Sequence, residues 1–189
     1  MECICNKTIK LKMYNYLPMK LRHFVQENID KIELNYLSCN SNINAIDILE
    51  KNLTEVNWWL LSQNLNAIPI LKKNLDKVNW YWLSANPNAI HIIEKNITNI
   101  IWVGLSENSN AIHILEKNLD KVDWTRLSEN LNAIHILEKN LDKVDWYWLS
   151  KNPNAIDILK KNITKVDWCG LSENPNALHI LEKNMSKID

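Results

Sequence analysis

The chain is short of loop-building residues and of any excess of one charge. It has two glycines and five prolines in 189 residues. A β-sandwich needs positive-φ positions at its many turns, which glycine supplies, so this scarcity argues against one. Lys plus Arg balances Asp plus Glu at 22 each. A net charge of zero creates no global field to draw in nucleic acid or an anionic membrane. No apolar run approaches the roughly 18 residues of a spanning helix. The opening MECICNKTIKLK lacks the apolar core of a signal peptide. The four cysteines, Cys3, Cys5, Cys39 and Cys169, follow no disulfide framework, which fits reduced thiols. Together these absences predict a soluble, intracellular protein without membrane contact.

Signatures of catalysis are missing too. There is no GxSxG, P-loop, GxGxxG or HExxH, and no Cys pair at metal-ligand spacing. Serine, histidine and aspartate occur as separate columns rather than as one constellation. His91, His113, His135 and His179 are a repeat or more apart, too far for one ion, and are expected on the surface. The expectation is a non-enzyme with no cofactor, no metal and no small-molecule substrate.

What the chain does have is a period of 22 residues. Asn-Ala recurs at Asn44, Asn66, Asn88, Asn110, Asn132, Asn154 and Asn176. Tryptophan recurs at Trp58, Trp80, Trp102, Trp124, Trp146 and Trp168, each three residues before a Leu-Ser pair. A fixed period of this length means like units stacked in a row, each using its neighbour as its core. Residues 17–189 read as one array of seven to eight units, and residues 1–16, which fit no unit, as an N-terminal cap. The first complete unit is two residues longer than the rest. The last stops half-way, at Asp189, from which exposed apolar surface and either end-to-end self-association or a compensating fold-back are expected.

One unit runs NLNAIHILEKNLDKVDWYWLS, Asn130 to Ser150. Ala133, Ile134, Ile136 and Leu137 make a helical stripe, with His135, Glu138 and Lys139 opposite. Asn132 is the expected N-cap, which puts Pro69 of an equivalent unit at N3. Asn140 suits a left-handed residue ending the helix. Asp142 is expected to cap a second helix, with Asp145 at N3 and Leu141 stapled to Trp146. Each helix would span about two turns and depend on stacking for stability. The fold class is therefore all-α, a solenoid of 22-residue helix–turn–helix repeats stacked into a superhelix. A strand-plus-helix solenoid is the alternative. Val144, Trp146 and Trp148 alternate, NIIWVGLS (Asn99 to Ser106) is rich in strand formers, and Gly104 and Gly170 each weaken a helix by about 1 kcal/mol.

The pattern WxxLSxNPNAIxILEKN is carried most clearly by Trp80 to Asn96 and Trp146 to Asn162. It resembles the short tandem repeats of many proteins of giant nucleocytoplasmic DNA viruses, the mimivirus relatives. The resemblance covers residues 17–189. It implies a viral protein acting inside an infected cell, in host cytoplasm or virus factory, and transfers no catalytic residue.

Within the chain, Ala, Trp, Ser and Asn columns hardly vary, as expected of core and backbone-bonding positions. Variation concentrates just after the Trp: Trp59, Tyr81, Val103, Thr125, Tyr147, Cys169 in one slot, and Leu60, Trp82, Gly104, Arg126, Trp148, Gly170 in the next. Trp59, Tyr81, Trp82, Arg126, Tyr147 and Trp148 are the candidate partner-binding residues, being of the types that anchor protein interfaces. Their rings would equally serve as filler between repeats, large beside small. Two lysine columns, Lys51 to Lys183 and Lys77 to Lys165, run beside Glu and Asp and are expected to be solvated and locally neutralised. The leading expectation is a scaffold that binds a protein partner. Assembly through open ends is the first alternative and nucleic-acid binding through the lysines the second.

Overall fold

A computed structural model describes residues 33–40 and 43–187. The expected cap at residues 1–16 and the half-unit that begins at Leu17 lie outside the described residues. The regular elements within them are fourteen α-helices and three short 3₁₀ turns, with no strand. The protein is an all-α repeat solenoid, and the strand-plus-helix alternative does not hold for these residues. The chain divides into two compact units, Met1–Lys95 and Asn96–Asp189.

Each repeat contributes two helices. One begins at the repeated tryptophan: Trp58–Gln63 and Trp80–Ala85 in the first unit, Trp102–Glu107, Trp124–Glu129, Trp146–Lys151 and Trp168–Ser172 in the second. The other follows the repeated alanine: Ile43–Lys51, Ile68–Lys73 and Ile90–Lys95, then Ile112–Leu115, Ile134–Glu138, Ile156–Lys161 and Leu178–Lys183. A short helix, Leu34–Leu37, occupies the tryptophan-helix position at the start. Apart from Ile43–Lys51, the helices have four to six residues, fewer than the two turns expected.

The caps also differ from expectation. The tryptophan helix starts at the Trp, so Asp145 is its N-cap rather than its N3 residue. The Asp145 carboxylate accepts the Tyr147 and Trp148 N–H groups at 3.1 and 3.3 Å. Asp142 lies instead in a turn closed by Lys143 N–H to the Asn140 carbonyl at 3.0 Å. Asn132 does not cap the alanine helix. Ala133 occupies that position with no side-chain cap, and the Asn130 amide instead closes the preceding turn, its Oδ1 accepting the Asn132 N–H at 3.0 Å. With Ala67 at the cap, Pro69 stands at the second helical residue, not the third. No described residue has positive φ, so Asn140 does not end its helix in the left-handed region. Its Nδ2 instead donates to the Ile136 carbonyl at 2.8 Å, and Asn52, Asn74, Asn118, Asn162 and Asn184 do the same one turn back in their own repeats.

The repeats bury a common set, except that Leu181 in the last is only half-buried. Ala133, Leu137 and Leu149 have no exposed surface, and Ile136 and Val144 very little. Full burial of one leucine stabilises by about 1.5–3 kcal/mol, which these helices need because they are too short to persist alone. The alanine column is fully buried in every described repeat, so the chain can approach closely there.

Between the apolar layers runs a polar ladder. Ser128 Oγ donates to the Trp124 carbonyl at 2.7 Å and accepts the Asp145 N–H of the next repeat at 3.0 Å. Asn130 Nδ2 donates to the Ser106 carbonyl at 3.0 Å. Asn152 reaches Ser128 and Asn130, and Asn174 reaches Ser150 and Asn152. The first unit repeats this with Asn64 to Ser38 and Asn86 to Ser62. Buried amides and hydroxyls are tolerated here because their donors and acceptors meet backbone groups left over at helix ends. The ladder carries out the role expected of the Ser and Asn columns and fixes where each tryptophan helix sits.

Candidate interaction surface

The variable slots are the second and third residues of each tryptophan helix. The fourth and fifth, Leu and Ser, are buried in the stack in every tryptophan helix but the last, where Ser172 is exposed, and this turns the start of the helix outward. Trp59 is 47% exposed and Val103 38%. Tyr81, Trp82, Arg126, Tyr147 and Trp148 are half-buried.

In the first unit the rings meet. Trp59 stands edge-on to Trp82 with centroids 5.3 Å apart, and Tyr81 edge-on to Trp82 at 4.9 Å. Contacts of this geometry contribute about 0.5–1.5 kcal/mol beyond area burial. In the second unit Tyr147 and Trp148 make a like pair at 5.1 Å. The Lys151 ammonium lies 5.3 Å from the Trp148 ring and 2.7 Å from Glu173. Tyr147 donates its hydroxyl to the same carboxylate at 3.0 Å. The hydrogen bond from Lys151, then that from Tyr147, holds the Glu173 carboxyl below its ordinary value. The same contacts raise Lys151 and Tyr147. Arg126 is drawn to Glu107, 3.3 Å away.

Of the six candidates, then, three cluster in the first unit and Tyr147 pairs with Trp148 in the second, while Arg126 is held by a carboxylate. Large beside small also occurs: a Cβ on Gly170 would overlap the Tyr147 carbonyl oxygen and lie 3.3 Å from the Tyr147 ring. The rings thus fill space between repeats and keep part of their surface outside. Lys151 and Glu173 did not stand out in the sequence. Their slot reads Gln63, Ala85, Glu107, Glu129, Lys151, Glu173, and the reversal of charge at Lys151 is the signal that marks it.

The lysine columns are not simply solvated. Lys77, Lys121, Lys143, Lys165 and Lys187 each lie 5.1–5.5 Å over the tryptophan of the preceding repeat, from Trp58 to Trp168. An exposed cation–π contact contributes about 0.5–1 kcal/mol, so these ammoniums cover the ring faces. In the other column Lys73 pairs with Glu50 at 2.7 Å and Lys161 with Glu138 at 2.9 Å, each partner lying one repeat back rather than beside it in sequence. His135 meets Glu116 the same way at 2.6 Å.

Against family models, curated proteins and solved structures, the chain finds no match. Among the described residues, no three His, Cys, Asp or Glu side chains are grouped to hold a metal ion. No helix there is long and apolar enough to cross a membrane.

Proposed function

We propose that the protein is a non-enzymatic scaffold that binds another protein through the outward first turns of its tryptophan helices. One observation carries this. The slots that vary between repeats hold half-exposed aromatic rings already locked in edge-on pairs, and Lys151 and Glu173 brace the pair of Tyr147 and Trp148. Rings ordered in advance lose little conformational entropy on binding, which favours them as interface anchors. Lys77, Lys121, Lys143, Lys165 and Lys187 are engaged with indole faces, and Lys73 and Lys161 with glutamates, which favours a protein partner over nucleic acid. The resemblance to giant-virus repeat proteins suggests that the partner belongs to the virus or its host, inside an infected cell.

The test is capture of partners from infected-cell lysate by the wild type and by a Trp82→Ala/Trp148→Ala variant, with circular dichroism as the check on folding. A folded double variant should lose the partner. Retention of the same partner by a folded variant would show that this face does not bind it.

A further inference from the structure

Seven described repeats share an exposed slot two residues beyond the Asn that closes the alanine helix. It holds Asp76, Asp120 and Asp142 in three repeats, and Thr54, Thr98, Thr164 and Ser186 in four. The turn around it is the same either way. The next residue's N–H bonds to the closing Asn carbonyl at 2.9–3.0 Å beside Asp76, Asp120 and Asp142, and at 2.9–3.1 Å beside the four hydroxyl residues. An anion in this slot therefore requires no change of backbone.

The four hydroxyls share two further properties. None makes a side-chain hydrogen bond to another described residue, so each is free as a nucleophile. Each also has a lysine three residues before it: Lys51, Lys95, Lys161 and Lys183. Thr164 and Ser186 have a second lysine immediately after, Lys165 and Lys187. The same triplets, Asn-X-Thr or Asn-X-Ser, match the acceptor pattern for an Asn-linked glycan. There the geometry separates the two modifications. The Asn52, Asn162 and Asn184 amides are half-buried and committed to the carbonyls of Ile48, Ile158 and Ile180 at 2.8–2.9 Å. The hydroxyl-bearing residues are exposed and uncommitted.

We propose that Thr54, Thr98, Thr164 and Ser186 are phosphorylation sites for a protein kinase that recognises a basic residue three positions before the acceptor. The acceptor Oγ attacks the γ-phosphorus of ATP. An O–P bond forms, the bond to the ADP oxygen breaks, and the hydroxyl proton passes to the kinase's base. Each phosphate adds about −1.5 to −2 of charge in a slot where three other repeats carry an aspartate. At Thr164 and Ser186 it arrives next to a lysine that lies over a tryptophan ring, giving that ammonium a competing partner. A chain of zero net charge becomes acidic.

The full-length protein is incubated with ATP and a serine/threonine kinase of basic −3 preference, and phosphate is located by peptide mass spectrometry. Label is expected at the four sites and not at Thr125, which is exposed but has Val122 three residues before it. Lys161→Ala should remove label from Thr164 alone, and Thr164→Asp should leave the thermal midpoint unchanged. Label on Thr125 as fast as on the four would overturn the proposal. So would a folded chain that stays unlabelled while a peptide spanning residues 158–168 is labelled, or a lowered midpoint in Thr164→Asp.

Discussion

Asn152 donates through Nδ2 to the carbonyl oxygen of Ser128 at 3.0 Å, a buried bond spanning 24 residues of sequence. The same side chain reaches the Asn130 carbonyl at 3.3 Å and accepts the Asn154 N–H at 2.9 Å. Each buried group left without a partner costs about 1–3 kcal/mol. Asn152→Ala should therefore lower stability by about 2–4 kcal/mol in urea denaturation. Asn154→Ala, an exposed position whose Nδ2 makes one bond to the Leu131 carbonyl, should lose about 0.5–1.5 kcal/mol. Equal losses would mean that the buried column does not hold the repeats together.

Gly170→Ala sets two effects against each other. Alanine favours a helix over glycine by about 1 kcal/mol. The new methyl, however, would overlap the Tyr147 carbonyl oxygen. A backbone atom cannot swing aside as a side-chain tip does, and such overpacking costs about 1–3 kcal/mol. The overlap should win, lowering the thermal midpoint. A rise would show that the two helices separate at little cost.

Glu173 supplies a pH dependence whose sign follows from its partners. Lys151 first, then Tyr147, holds the carboxyl below its ordinary 4.5. A carboxyl depressed on folding contributes stability above its unfolded value, and that contribution is lost as pH falls through the folded one. The window lies below about 4.5 and the effect is small, because the groups are solvent-screened. Lys151, raised chiefly by the hydrogen bond to Glu173, acts at the opposite end: its contribution is lost as pH rises above the ordinary 10.5. In Lys151→Met, the Glu173 carboxyl followed by NMR should titrate at higher pH than in the wild type. An unmoved midpoint would mean that the pair does not persist in solution.

The period, the helical class and the separation of fixed from variable columns are legible in the sequence because each is a matter of spacing. The caps are not. Asp142 and Asp145 both precede the helix, three residues apart, and local pattern alone makes the earlier one an equally good cap. What decides is the turn from Asn140 to Lys143, which uses up Asp142's position before the helix begins. Asn132 misleads for a similar reason. The turn before the helix is closed by Asn130, whose amide also bonds to Ser106 in the preceding repeat, and no local window contains both ends of that bond. One clue does stand in the sequence: Pro87, Pro153 and Pro175 each follow the buried Asn, where a residue without an N–H suits the first position of a helical turn. At the surface, the candidate rings were recognisable by type, whereas Lys151 and Glu173 meet only because stacking brings adjacent repeats together.

The Ser38 hydroxyl accepts the Asn57 N–H at 2.9 Å across 19 residues, while the equivalent bond elsewhere in the array spans 17. Two additional residues have been absorbed without losing the bond. Within each unit, the described bonds of this kind join the same two positions of successive repeats, indifferent to how many repeats lie on either side. Unequal recombination that copies or removes one unit of the gene would leave each remaining link with a partner of the same kind. Array length would then change by whole units while each unit keeps its own geometry.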